Sequence, residues 1–325
     1  MKKMVAFFLA LLMMLSTGIV SALADDIVIY TAANTDRMND MYKQLSAKFP
    51  QHHFIIEYLS TSKLAAKLLA EGNDTDIDII HDLAYTNLFK LQNNGYLADL
   101  SYVDYSIYAD DVNVSNYFVI EYRTSGAIVV NTEVLNSLGL PEPTCYDDLL
   151  NPIYKGLISM PDPKASGTGY MFVKNLVNVW GEEKAFDYFG KLSENILQYT
   201  SSGNGPINAL VQEEVAIGLC MTVNAVRQIN AGDPLKIIFF EEGAPSSMYG
   251  QAIPKKNENN EAVKEVFDYM IGDMLEYMFI NWGHENCIKD LNVPLDNYPE
   301  DIVYGDMSND TIDEKERLLD MWIWS

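Results

Sequence analysis

The sequence predicts an α/β protein in two blocks, each a mostly parallel sheet flanked by helices. Three observations carry this. From Asp25 onward, short apolar strands alternate with amphipathic helices, the order that builds parallel sheets with helices on both faces. About 300 residues follow that point, enough for two domains with their own cores. No internal repeat, low-complexity stretch or long flexible linker separates the blocks, so they pack side by side and are joined by strands.

The elements follow in order. DIVIYTA is a strand, and TDRMNDMYKQLSAKF is a helix with Met38, Met41, Tyr42, Leu45 and Phe49 on one face. HFIIEYL is a second strand. STSKLAAKLLAEG is a helix with a hydroxyl cap at its start and Gly72 at its end. DIDIIHD is a third strand, and a helix runs on through Leu88 and Leu91. The second block opens at TSGAIVVN. It holds a strand from Gly156 to Pro161, then the helices GYMFVKNLVNVWG and EEKAFDYFGKLSE. After SSGNGP comes a helix with Pro206 in its first turn, and EVAIGLCM and LKIIFF are further strands. The tail TIDEKERLLDMWIW has a capping box, Thr311 with Glu314, and an apolar face of Leu318, Leu319 and Trp322.

The N-terminus reads as a cleavable secretory signal, residues 1–24. Lys2-Lys3 precede an apolar run from Met4 to Leu15, and Ala22-Leu23-Ala24 is an A-x-A cleavage site. The apolar core is shorter than the roughly 20 residues that span a bilayer. No lipoprotein cysteine follows it, so an exported protein that starts at Asp25 and is free of the membrane is expected. The formal charge is −24, and removal of Lys2 and Lys3 with the signal would make it −26. So acidic a surface repels nucleic acid and anionic lipid. It also repels anionic ligands in general, so a site for one needs local, fixed donors. Three cysteines, Cys145, Cys220 and Cys287, leave at most one disulfide, which the sequence does not assign, and no C-x-x-C spacing points to a metal or redox centre. Cys220 closes the apolar run VAIGLC and is expected in the core.

Open α/β sheets bind ligands beyond the carboxyl ends of their strands. Here those ends are small and polar: Thr31 and Asn34, then Ser60, Thr61 and Ser62, then His81 and Asp82. Later ends are Ser166, Gly167, Thr168 and Gly169, then Ser201, Ser202, Gly203 and Asn204.

With these turns in view, the chain resembles the periplasmic solute-binding proteins of bacterial ABC importers, in the branch with ferric-iron, thiamine, phosphonate and hexose-phosphate binders. The resemblance covers most of the chain. It rests on IYTAANTD, DIDIIHDLAYTNLFKLQNNGYL, GAIVVNTEVL, LLNPIYKGLISMPDPKASGTGY, SSGNGPINALVQEEVAIGL and EEGAPSSMYGQAIPKKNENNEAVKEVFDYM. It implies a two-lobed type II binding-protein fold with a ligand cleft between the lobes. Lobe 1 would comprise 25–124 and 248–290, and lobe 2 would comprise 125–247 and 291–325. Two strands would cross between them, near Arg123 to Val130 and near Phe240 to Gly250. Closure about this hinge would trap the ligand. A membrane permease is the implied partner, the protein acting as a monomer without cofactor or metal and binding no nucleic acid.

Two departures from the family matter. Iron binders carry two adjacent tyrosines after the AIGL strand, whereas this chain reads CMTVNAVRQ there, with Asn224 as a candidate contact. Ferric iron prefers anionic oxygen ligands, so the missing pair argues against iron. Many members also have a glycine-rich turn where this chain has His81-Asp82-Leu83.

The remaining chemistry favours an anion. A helix N-terminus supplies free N–H groups and about half a positive charge. Ser60 to Ser62, Ser166 to Gly169 and Ser201 to Asn204 stand at three expected helix starts. Each alone is equally an ordinary helix cap; three facing one cleft would form an anion site. Arg123 can grip an anion in a bidentate manner, or pair with Glu121 or Asp82. His81 and Asp82 can hold a ligand hydroxyl or amine. Glu242, beside Glu241, can receive an ammonium group. The expected solute is therefore a phosphorylated sugar or a phosphonate. Iron, thiamine or a polyamine is the alternative, and a secreted enzyme acting on a phosphorylated small molecule is the competing class. Against an enzyme, His52, His53, His81 and His284 lack metal-ligand spacing, there is no G-x-S-x-G or H-E-x-x-H, and SGTG lacks the P-loop lysine.

Overall fold

The computed structural model describes residues 26–109, 112, 115–282, 285, 287–289 and 295–324. The signal segment expected at 1–24 lies outside the described residues. The first β-α-β-α-β run forms as its periodicity demands. Strand β1 (Asp26–Thr31) leads to helix α1 (Thr35–Lys48), β2 (His53–Tyr58), α2 (Thr61–Glu71), β3 (Ile79–Ala84) and α3 (Tyr85–Asn93). Strand β1 pairs in parallel with β2 on one side and β3 on the other. The inward face of α1 differs from expectation in two places. Tyr42 is 46 % exposed, and Arg37 is buried in its stead beside Met41 and Leu45. An arginine on that face signals a buried charge partner.

The long strand β4 (Val119–Asn131) and β9 (Ser246–Ala252) carry the chain between the two halves of the sheet. As far as Ser125, β4 pairs antiparallel with β9, which in turn pairs antiparallel with β3. From Gly126, β4 pairs with β7 (Ile217–Met221), and from Ile128 also with β8 (Leu235–Ile238). Beyond β7 lie β5 (Ile158–Pro161) and β6 (Ile196–Thr200), both parallel. The outer strands of each half are thus parallel, as expected, and the antiparallel pairs sit where β4 and β9 cross.

Helix α4 (Thr132–Leu138) follows β4, and α5 (Gly167–Trp180) and α6 (Glu182–Leu192) follow β5. Helices α7 (Gly205–Val211) and α8 (Thr222–Ala231) flank β7, α9 (Glu261–Ile271) and α10 (Asp273–Trp282) follow β9, and α11 (Ile312–Met321) closes the described chain. Two cores form. One packs Ile27, Ile29, Met41, Leu64 and Ile79 against Phe267 from α9. The other packs Ile158, Phe172, Phe189 and Leu219 against Leu318 of α11 and Trp322 at its C-cap. The C-terminal helix therefore belongs to the second half. Among the described residues Cys145, Cys220 and Cys287 form no disulfide, and Cys220 is fully buried as expected. No helix among the described residues is long and apolar enough to cross a membrane.

Candidate functional site

A cavity of about 310 Å³ opens where the two halves face each other. Ser60, Thr61 and Ser62 line it from the first half, and Ser166, Gly167, Ser201, Ser202 and Gly203 from the second. Helix α2 begins at Thr61 behind the N-cap Ser60, whose hydroxyl makes no capping bond. Its first intrahelical bond runs from the Leu64 N–H to the Ser60 carbonyl at 2.9 Å, so the N–H groups of residues 61–63 have no partner within the helix. Helix α5 repeats this pattern. Ser166 is an N-cap without a side-chain bond, and the Tyr170 N–H reaches the Ser166 carbonyl at 3.1 Å. Both N-cap hydroxyls, and the helix-start N–H groups of the lining residues Thr61, Ser62 and Gly167, have no partner within their helices.

Thr168 and Gly169 act one layer behind. A Cβ on Gly169 would stand 2.3 Å from the Pro161 carbonyl oxygen, so only glycine lets α5 start so close to the end of β5. A Cβ on Gly203 would stand 2.3 Å from the Thr168 hydroxyl, so Thr168 supports the Ser201–Gly203 turn from beneath. The third expected helix start, Ser201 to Asn204, is the turn that enters α7, with Asn204 as its N-cap. Helix α7 begins only at Gly205, after the Gly205 N–H has bonded the Ser202 carbonyl at 3.1 Å. Asn204 accepts from the Asn224 amide at 2.5 Å, and neither residue lines the cavity.

The other expected contacts lie elsewhere. Asn34 caps α1, accepting from the Arg37 N–H at 3.0 Å. Strand β3 continues through Ala84, so His81 and Asp82 are within it and not beyond its end. A register shift against β9 falls between Ile80 and Leu83, and Asp82 has a φ of 56°. This bulge turns both side chains inward. The Thr31 hydroxyl lies 2.7 Å from His81 Nδ1, and both residues are fully buried. His81 Nε2 stands 3.0 Å from Glu121 Oε1 but off the hydrogen-bond direction, so that contact is electrostatic. Arg37 donates to Asp82 at 3.3 Å and approaches Glu121 at 3.8 Å, and the Tyr122 hydroxyl also donates to Asp82. Burial holds the Asp82 carboxyl above its usual range. Burial pushes Glu121 up too, but His81 and Arg37 outweigh it and leave Glu121 below its usual range. These buried charges face one another, and none of the four residues lines the cavity. Tyr122 links the cluster to the cavity, for its ring stacks on the lining residue Tyr249 at 5.3 Å.

Arg123 faces the opposite side of the crossing strands, its guanidinium 4.2 Å above the Tyr304 ring. There it lines a larger cavity of about 990 Å³ between α3 and residues 304–313. The smaller cavity is the better candidate site, because it gathers hydroxyls and helix starts from both halves. Glu242 is near Trp180 and Lys184, outside both cavities, and burial raises its carboxyl.

Two charged cavity residues escaped the sequence reading, Asp310 and Lys315, both from the C-terminal segment, as did the polar Tyr58, Thr86, Tyr170, Ser247 and Tyr249. The Tyr170 hydroxyl donates to Asp310 at 2.7 Å, and Lys315 Nζ lies 4.9 Å from the centre of the Tyr170 ring. Burial raises the Asp310 carboxyl and lowers the Lys315 ammonium. A signal for Lys315 was present. At helical spacing it falls on the same stripe as Leu318 and Trp322, and a cation on an apolar stripe needs a reason to be there. Among the described residues no group of three His, Cys, Asp or Glu side chains is placed to hold a metal ion.

Solved structures with this architecture are periplasmic binding proteins of type II. AfuA from Actinobacillus pleuropneumoniae, solved with exogenous fructose-6-phosphate bound, matches with a TM-score of 0.79 at 24% identity over 92% of this chain and 98% of that one. The periplasmic binding protein P5PA gives 0.77 at 24% identity over 91% and 98%. The ferric binding protein from Campylobacter jejuni gives 0.74 at 16% identity over 91% and 98%. In sequence, an uncharacterized protein of Haemophilus influenzae is 34% identical over 143 residues, 44% of this chain and 41% of its own length. The spermidine/putrescine-binding periplasmic protein of Salmonella typhimurium is 25% identical over 150 residues, 45% of this chain and 42% of its own. The matches thus span less than half the length of these relatives. Residues 76–281 match the family model of the bacterial extracellular solute-binding proteins, and this chain belongs to that family.

Proposed function

We propose that this protein is the solute-binding component of an ABC import system, acting in the periplasm. It captures a small anionic organic solute, a phosphorylated sugar or a phosphonate, and delivers it unchanged to a membrane permease. The observation that carries this reading is the pair of helix starts, α2 and α5, that face one cavity from opposite halves with unbonded N-cap hydroxyls. The Ser201–Gly203 turn adds further donors, and Lys315 adds a cation. Such a site holds an anion without a general positive field, which a chain of charge −24 cannot provide. The lobes are taken as 25–124 with 248–290 and 125–247 with 291–325. The handover of β4 from β9 to β7 between Ser125 and Gly126 supports that division.

A thermal-shift panel of sugar phosphates, phosphonates, thiamine, polyamines and ferric iron tests the reading. At a hundredfold excess over Kd the true ligand adds about 2.7 kcal/mol of stability. A sugar phosphate or phosphonate is expected to do so, and stabilisation by ferric iron or a polyamine alone would refute it. The second reading, a polyamine, draws on Asp310 and on Tyr58, Tyr170 and Tyr249 around the cavity, since amines favour carboxylates and aromatic faces.

A further inference from the structure

Among the described residues lining the 310 Å³ cavity, the charged ones are Asp310 and Lys315. Both come from the segment 304–315, which lies beyond the family-matched residues 76–281. Helices α2 and α5 and the Ser201–Gly203 turn supply hydroxyls and helix starts; this strap supplies the charges.

The strap is held firmly by contacts that do not involve the cavity. The Gly305 N–H bonds the Ala244 carbonyl at 2.8 Å. The Asn178 amide donates to the carbonyls of Asp306 and Ser308 at 2.8 and 2.9 Å. The Thr311 hydroxyl caps α11 by accepting from the Glu314 N–H at 3.2 Å. Asp310 is then fixed by Tyr170 from α5, whose hydroxyl donates to it at 2.7 Å, while Tyr85 from α3 stands near it on the other half. A carboxylate has about four acceptor positions, so these contacts leave it free to accept from a ligand. Lys315 rests against the Tyr170 ring with no carboxylate within 4.0 Å among the described residues, so its ammonium has donors to spare.

We propose that this strap determines specificity: Lys315 contacts the anionic group of the solute, and Asp310 accepts a hydrogen bond from a hydroxyl or ammonium elsewhere on the same molecule. The inference rests on the reading of this cavity as the solute site. The cleft then selects anions that also carry a donor. A bare anion leaves Asp310 facing it without compensation.

Titration calorimetry with glucose 6-phosphate, 2-aminoethylphosphonate, ethyl phosphate and spermidine tests this on the whole protein. Lys315→Met is expected to weaken all three anions by at least about tenfold, the scale of a hydrogen bond to a charged group. Asp310→Asn keeps an acceptor for Tyr170 but loses the charge. It is expected to weaken glucose 6-phosphate and 2-aminoethylphosphonate while ethyl phosphate binds as well or better. Lys191→Met, removing a lysine whose side chain is 61% exposed, controls for net charge and is expected to change nothing. If Lys315→Met fails to fold, Lys315→Gln takes its place. Unchanged anion affinities in the folded Lys315 variant, or the wild-type ranking of the anions in Asp310→Asn, would overturn the proposal. If the wild type binds spermidine and none of the anions, the anion reading fails. The strap then keeps its role only if Asp310→Asn abolishes spermidine binding, and loses it otherwise.

Discussion

Asp310 sits half-buried among the Tyr170 and Tyr85 hydroxyls, Lys315 and Lys174. Burial raises its carboxyl above the ordinary value, and the four neighbours only partly offset this. A carboxyl with a raised native value binds more protons folded than unfolded. Its contribution is favourable below the unfolded value and is lost as pH rises through the native one. Asp310→Asn should therefore stabilise the ligand-free protein at neutral pH. The gain should fade toward about pH 3.9, where the unfolded aspartate is half protonated. Urea midpoints of both proteins from pH 4 to pH 8 check this, and a gain that grows on acidification would contradict it. At this scale the sequence was a poor guide. His81 and Asp82 looked like strand-end contacts, but only the pairing with β9 shows that β3 runs on past them. Arg37 and Lys315 both stood on apolar helical stripes. Their partners lie 45 residues or more away in Asp82 and on another helix in Tyr170, and no local pattern discloses such contacts.

Helices α2 and α5 were legible because their signals are local: small hydroxyl residues at the start and an apolar stripe behind. The same local signals place Ser201 to Asn204 at the entry of the short α7, where Asn204 is the N-cap. Within α5, the roles of two glycines separate cleanly. A Cβ on Gly167 meets only the Tyr249 hydroxyl, at an ordinary 3.6 Å, whereas one on Gly169 strikes the backbone of Pro161 at 2.3 Å. Gly167→Ala should thus leave stability nearly unchanged and weaken solute binding, because the methyl intrudes on the cavity. Gly169→Ala should cost about 1–3 kcal/mol by overpacking, and lower affinity only through misplacement of the helix start. Thermal unfolding paired with titration of both variants separates the two. Equal loss of stability would show that Gly167 is framework as well.

The whole molecule sets a field that no single site controls. Its charge of −24 is spread over a surface of 16018 Å², while the cavity gathers donors and one lysine. Each half has its own core, and β4 runs through both parts of one sheet. An anion approaching from solution meets the acidic surface first and the donors only on contact. Screening shortens the reach of the outer field from about 30 Å at 0.01 M salt to about 8 Å at 0.15 M, and hardly touches groups in hydrogen-bond contact. The association rate of glucose 6-phosphate should therefore rise as salt is raised over that range, with a much smaller change in dissociation. A cationic solute should behave oppositely, for the same surface draws it in and salt removes the attraction. Stopped-flow protein fluorescence at several salt concentrations reads both rates. A phosphate association rate that falls with salt would mean that the local donors project beyond the cleft mouth and outweigh the acidic surface around it.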